Sequence, residues 1–212
     1  MKQAAVRLSR QISLEVERKF RCSIESVNLL RANRGQPPFQ ELLYLGHETF
    51  SDIYFDKHKK LSSNGIWVRK RNDHWQAKVR QCGDYQNSTF EELAGKEEIG
   101  NLVAKYIRKA PSHSVDFGLS KIAQFTTVRD KWRANKRFEI VIDSTGFGHM
   151  VGEVELQSLE EVDTLSRSRA SDSMHAEIEA FMQKYSWAFP PGKVDGKLSA
   201  YFAQMSSIEH IR

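Results

Sequence analysis

The chain has 212 residues, 40% hydrophobic and 28% charged, which allows a sizeable core and excludes a disordered or fibrous sequence. Its formal net charge of +5 suits an anionic ligand, whether nucleic acid, lipid headgroup or polyphosphate, without choosing among them. No apolar run is long enough for a membrane-spanning helix, and the two cysteines, Cys22 and Cys82, stand in no metal-binding or redox spacing.

With no secretory signal in view, the expected setting is intracellular and cytoplasmic, with free thiols. The opening MKQAAVRLSRQIS carries Lys2, Arg7 and Arg10 and no acid before Glu15. Residues 1–11 read as a short basic tail, with a mitochondrial targeting peptide as the other reading. No linker divides residues 12–212, so one domain is expected there.

Period-2 patterning dominates from residue 12 onward. The first strand is predicted at 12–20. Ser23 can cap a helix running to about Asn33, with Gly35 as its stop. Strands follow at 42–55, 65–71, 74–81 and 88–93, joined in part by the turn sequences SSNG and RNDH. GKEEIGNLVAKYIRKA, residues 95–110, places acids early and bases late, as a helix dipole favours, and Pro111 ends it. Further strands are predicted at 122–133, 136–143 and 150–158. A helix at 171–187 carries Met174, Ile178, Phe181 and Met182 on one stripe, and 190–205 reads as a break followed by a short helix.

Residues two apart on a strand share a face. Glu15, Glu17 and Lys19 therefore point together. So do Trp67, Arg69 and Arg71; Gln76, Lys78 and Arg80; Arg129, Lys131 and Arg133; and Glu153, Glu155 and Gln157. A half-exposed antiparallel sheet would show such alternation strand by strand. Here the charges are sorted by strand, cations on three and paired acids on two, which a merely soluble surface does not require. A barrel with a charged lumen, its apolar outside covered by helices, satisfies both faces. Clustered Arg and Lys suit phosphate oxygens, while clustered carboxylates suit a hard divalent cation that bridges to phosphates. Trp75 and Trp132 fall on the opposite face and are expected in the core, with Trp187 packing at a helix end.

Glu15-Val-Glu-Arg-Lys19 resembles the ExExK signature of the CYTH superfamily, the triphosphate tunnel metalloenzymes, and most of all its thiamine triphosphatases. DIYFD (52–56), WVRKR (67–71), RDKW (129–132), FGHMVGEVE (147–155) and GKLSAYF (196–202) extend the resemblance over nearly the whole chain. It implies an α+β fold, an eight-stranded antiparallel β-barrel surrounded by helices. It implies hydrolysis of a small-molecule triphosphate with Mg²⁺ or Mn²⁺, by a monomer with no nucleic-acid or membrane partner. By the same resemblance Lys19, Arg69, Arg71, Lys78, Arg129 and Lys197 contact phosphates, with Glu153 among the substrate-binding residues. Glu15, Glu17, Glu153 and Glu155 bind metal directly or through water. Tyr54 pairs with Lys19 to activate water, and Trp67 lies against thiazolium. Glu92 matches a further acidic position. The family's metal-binding Asp falls at Val141, so Asp143, on the same face, is the expected substitute. Inorganic tripolyphosphate or a nucleoside triphosphate stays open as substrate, and a non-catalytic polyphosphate-binding module stays open as a different class. The superfamily's adenylyl cyclases are not favoured, since nothing in the chain points to adenine.

Overall fold

The computed structural model describes residues 12–84, 86–107, 116–160 and 164–209. The expected basic tail at 1–11 and the helix-ending Pro111 lie outside them. Eight strands are present: β1 (Ile12–Phe20), β2 (Leu42–Asp56), β3 (Ile66–Arg71), β4 (His74–Gly83), β5 (Asn87–Ala94), β6 (Ser120–Ala134), β7 (Phe138–Thr145) and β8 (Met150–Glu160). The helices are α1 (Ile24–Ala32), α2 (Lys96–Tyr106), α3 (Thr164–Lys184) and α4 (Lys197–Glu209).

The strands close into a barrel in the order β1-β5-β4-β3-β2-β6-β7-β8. All neighbours pair antiparallel, and β1 shuts the ring by pairing with both β5 and β8. Alternation then gives every strand an inner and an outer side. Outward Val16, Ile140 and Val154 bury against Met174, Ile178 and Phe181 of α3. Val68, Trp75 and Ala77 bury under Ile99, Leu102 and Val103 of α2. Burying one such aliphatic or aromatic side chain contributes about 1.5–3 kcal/mol, so these covers hold the barrel shut. Trp75 and Trp132 are both in these outer clusters, as their face predicts. The fourth helix behaves differently. Leu198 and Tyr201 of α4 pack on Tyr54, Ala123 and Phe125. Tyr54 and Ala123 are directly paired across β2 and β6, so α4 leans on the face that carries the lumen residues.

Two glycines earn their place by close approach. Gly152 pairs with Phe20, and a β-carbon on it would lie 2.2 Å from that ring. Gly35 departs from its expected role. The helix α1 stops two residues earlier, at Asn33, which takes the left-handed conformation (φ 50) and returns its N–H to Leu29 and Leu30. Asn tolerates that conformation through its short polar side chain. Gly35 instead makes room for Trp187, whose ring would meet its β-carbon at 1.8 Å. Trp187 packs on Phe39 and donates to the Pro37 carbonyl at 2.9 Å. The helix α3 starts at Thr164, ahead of the expected Ser171, because its first turns carry little apolar periodicity to read.

Candidate active site

The inner strand faces enclose a cavity of about 1140 Å³. Glu15, Glu17, Lys19, Tyr54, Trp67, Arg69, Arg71, Lys78, Glu92, Arg129, Glu153, Glu155 and Lys197 all line it. Asp143 is fully buried behind Arg129 and Lys197. Strand register sets the pattern. Glu17 stands directly across from Glu155, and Lys19 across from Glu153, on β1 and β8.

One part of the lumen is rich in carboxylates. An oxygen from each of Glu15, Glu17 and Glu155 lies within 4.8 Å of the others. Burial and the Glu17 and Glu92 charges push the Glu15 carboxyl up to about 7, against the pull of Lys78. Burial, with Glu15 and Glu153 alongside, raises Glu155 well above its ordinary value. Lys78 reaches in with contacts to Glu15, to Glu17 at 2.9 Å and to Glu92 at 3.6 Å. Lys19 also contacts Glu17, and with Lys78 it holds that carboxyl below its ordinary value, but Glu15 and Glu155 stay raised. Three buried carboxylates are hard oxygen ligands in converging geometry, so their chemistry fits a divalent cation.

The neighbouring part is saturated with cations. Asp143 accepts two bonds from Arg129, each 2.7 Å, and one from Lys197. Burial works against the charged form, but Lys197 and Arg129 outweigh it and hold Asp143 below the usual carboxylate range. Glu153 lies 3.4 Å from Lys19 and 3.7 Å from Arg129. Its carboxyl is likewise depressed, burial being overcome by Lys19, Lys197 and Arg129. The structure thus sets Asp143 among phosphate-type cations and apart from the Glu15, Glu17 and Glu155 group.

Lys19 contacts Glu17 and Glu153. The Tyr54 hydroxyl sits beside Arg69 instead, so the expected partners Lys19 and Tyr54 each have a different neighbour. Arg69 also accepts the company of Gln76, bonding its side-chain oxygen at 3.0 Å. Trp67 is half-buried, edge-on to Phe90 at 5.7 Å, with the Arg80 guanidinium 4.8 Å over its ring. Sequence reading passed over Asp52. Wholly buried, it takes two bonds from Arg71, both 2.8 Å, and lies 3.9 Å from Arg69. The signal was there, since Phe50, Asp52 and Tyr54 alternate onto one face of β2.

A closed eight-stranded barrel whose lumen gathers converging carboxylates and clustered Arg and Lys defines a tunnel-type fold with donors suited to a metal ion and to phosphate oxygens. Residues 13–172 match the CYTH domain, and the chain belongs to that family. It is 25% identical over 169 residues to the human thiamine-triphosphatase, covering 71% of this chain and 70% of that protein. A protein of Pyrococcus horikoshii OT3 superposes with a TM-score of 0.57 at 16% identity, over 90% of this chain and 99% of that one. The Hippeastrum protein HpAC1, for which a dominant triphosphatase activity is described, gives 0.51 at 16% identity, over 92% and 96%. These two likenesses establish the shared fold.

Proposed function

We propose that the chain is a metal-dependent phosphoric-anhydride hydrolase whose substrate is thiamine triphosphate. The observation that carries this is the meeting, in one lumen, of the Glu15, Glu17 and Glu155 group with Arg69, Arg71, Arg129 and Lys197. Cations alone would serve a binding module. The buried carboxylates would repel phosphate unless a metal stood between them. Glu15, Glu17 and Glu155 would hold Mg²⁺, or Mn²⁺, which supplies charge neutralisation at the phosphate oxygens. The relationship to the human thiamine-triphosphatase supports thiamine triphosphate in particular.

In this reading the triphosphate lies along Lys19, Arg69, Arg71, Lys78, Arg129 and Lys197. A water oxygen attacks the terminal phosphorus. The bond from that phosphorus to its bridging oxygen breaks, and thiamine diphosphate leaves with the electron pair. The cations stabilise charge as it moves to the leaving oxygen. The phenolate form of Tyr54, with Arg69 as the cation beside its oxygen, is assigned the water's proton. Asp143 and Glu153 are assigned to orient Arg129, Lys197 and Lys19. Residues 12–212 act as one domain in a monomer. Among the described residues no helix is long and apolar enough to cross a membrane.

The second reading keeps the chemistry and changes the substrate to inorganic tripolyphosphate. Arg80 already covers one face of Trp67, so a thiazolium has to take the other face, whereas tripolyphosphate needs no aromatic ring. A phosphate-release panel over thiamine triphosphate, tripolyphosphate and ATP, with and without Mg²⁺, tests both. Mg²⁺-dependent release is expected, fastest from thiamine triphosphate, and Trp67→Ala is expected to slow that substrate alone. Equal loss on all three substrates assigns Trp67 to structure. Phosphate binding without release leaves a binding module and rejects the enzyme.

A further inference from the structure

Phe50 is an anomaly of the barrel interior. It is 2% exposed, yet it belongs to none of the three apolar clusters. Its surroundings are cationic. The Arg71 guanidinium carbon lies 3.7 Å from its ring centroid, that of Arg129 5.6 Å, and the Lys197 ammonium nitrogen 5.6 Å. These three come from β3, β6 and α4, so separate elements bring their charge to one ring.

Resting on the proposed function, we infer that Phe50 is a positioning residue: its ring gathers Arg71, Arg129 and Lys197 into one phosphate-binding group. Three like charges brought together repel each other, and their side chains are largely withdrawn from water. A carboxylate can gather them, as Asp52 and Asp143 do, but it cancels the positive field and occupies N–H donors that a phosphate needs. An aromatic face attracts cations through its quadrupole while carrying no net charge. It takes up no donor in an in-plane hydrogen bond. Phe50 therefore steadies the cations from one side and leaves their field and their N–H groups to an anion on the other. An aliphatic residue of like volume fills the space but has no quadrupole.

The test is tripolyphosphate binding by calorimetry to the full chain and to two variants, Phe50→Leu and a replacement of Phe50 by 3,4,5-trifluorophenylalanine, which keeps the ring's shape and removes its negative face. Both are expected to bind about tenfold more weakly. Phe50→Tyr is expected to restore binding. In the proton spectrum of the unsubstituted chain the Arg71 side chain is expected upfield, shifted by the ring above it, and the shift is expected to vanish in Phe50→Leu. Unchanged affinity in the trifluoro variant overturns the inference and leaves the proposed function standing. Absence of the upfield shift overturns it as well. If the unsubstituted chain binds no tripolyphosphate, the proposed function fails and takes the inference with it.

Discussion

Two corners of one lumen hold buried acids, and they are held in opposite ways. Around Glu15 and Glu155 the carboxyls rise above their ordinary values, because burial and one another outweigh Lys78 and, at Glu155, Arg129; Glu17 between them is held down by Lys19 and Lys78. Around Asp143 and Glu153 they fall, because Lys19, Arg129 and Lys197 outweigh burial. The residue types match, and the balance between neighbouring acids and cations differs. The first corner is short of positive charge and suits a cation from outside. The second already contains its counter-charges and suits the work of orienting them. Charge complement, rather than the presence of an acid, separates a metal ligand from a positioning residue.

The largest effect that would break this comparison concerns stability. Asp143→Ala strips Arg129 and Lys197 of a wholly buried partner, and losing one side of such a group costs about 3–5 kcal/mol. Chemical denaturation is expected to show that loss with or without Mg²⁺. If Asp143→Ala keeps its stability but loses the metal's stabilisation, Asp143 is a ligand after all, and the two corners are one.

Glu155→Gln is the counterpart in the other corner. It removes one charge from a crowd of like charges, so metal-free stability is expected to hold or rise. Turnover with Mg²⁺ is expected to fall about 100- to 1000-fold, the range for losing one electrostatic support of a transition state. Glu155→Gln turning over at the normal rate would remove the metal assignment for this group.

Why sequence reading saw the tunnel but not its two corners is visible in particular residues. Alternation in EVERKF, WVRKR and GEVE needs only strand geometry, so the eight strands and their inner residues could be read directly. Which strands meet is a matter of long-range pairing. Nothing local in residues 12–20 says that β1 lies between β5 and β8. Glu17 facing Glu155, and Lys19 facing Glu153, follow only from that register. Asp143 is expected at the metal because it shares the face of the family's acid at Val141, while the approach of Lys197 from α4 is not legible in the sequence. Asp52 and Phe50 lie on the same strand as Tyr54 and share its period-2 face. Their roles depend on Arg71 arriving from β3, which no spacing within β2 reveals.

The finest test of the two corners is their opposite response to pH. The Glu15 carboxyl has an ordinary value of 4.5 and sits at about 7 in the fold. A raised folded value for an acid stabilises the protein fully below about 4.5, and that contribution drains away as pH rises through about 7. The depressed Asp143 and Glu153 act in the reverse sense. They stabilise above their ordinary values, 3.8 and 4.5, and that contribution is lost on acidification below them. Between pH 5 and 7 the second corner is therefore silent and the first acts alone within the lumen, while outside it His175, depressed by burial, works in the opposite sense. In metal-free protein, thermal stability is expected to slope downward across this window, by up to about 1.4 kcal/mol per pH unit for each of Glu15 and Glu155. Mg²⁺ competes with the proton on Glu15, so its affinity is expected to climb by about tenfold per pH unit or more over the same window, raised Glu155 adding to the climb. Calorimetric Mg²⁺ titrations at several pH values would read this directly. Glu15→Gln is expected to make the slope of metal-free stability shallower, with raised Glu155 carrying the remainder, while an unchanged slope in that variant would move the titrating group elsewhere.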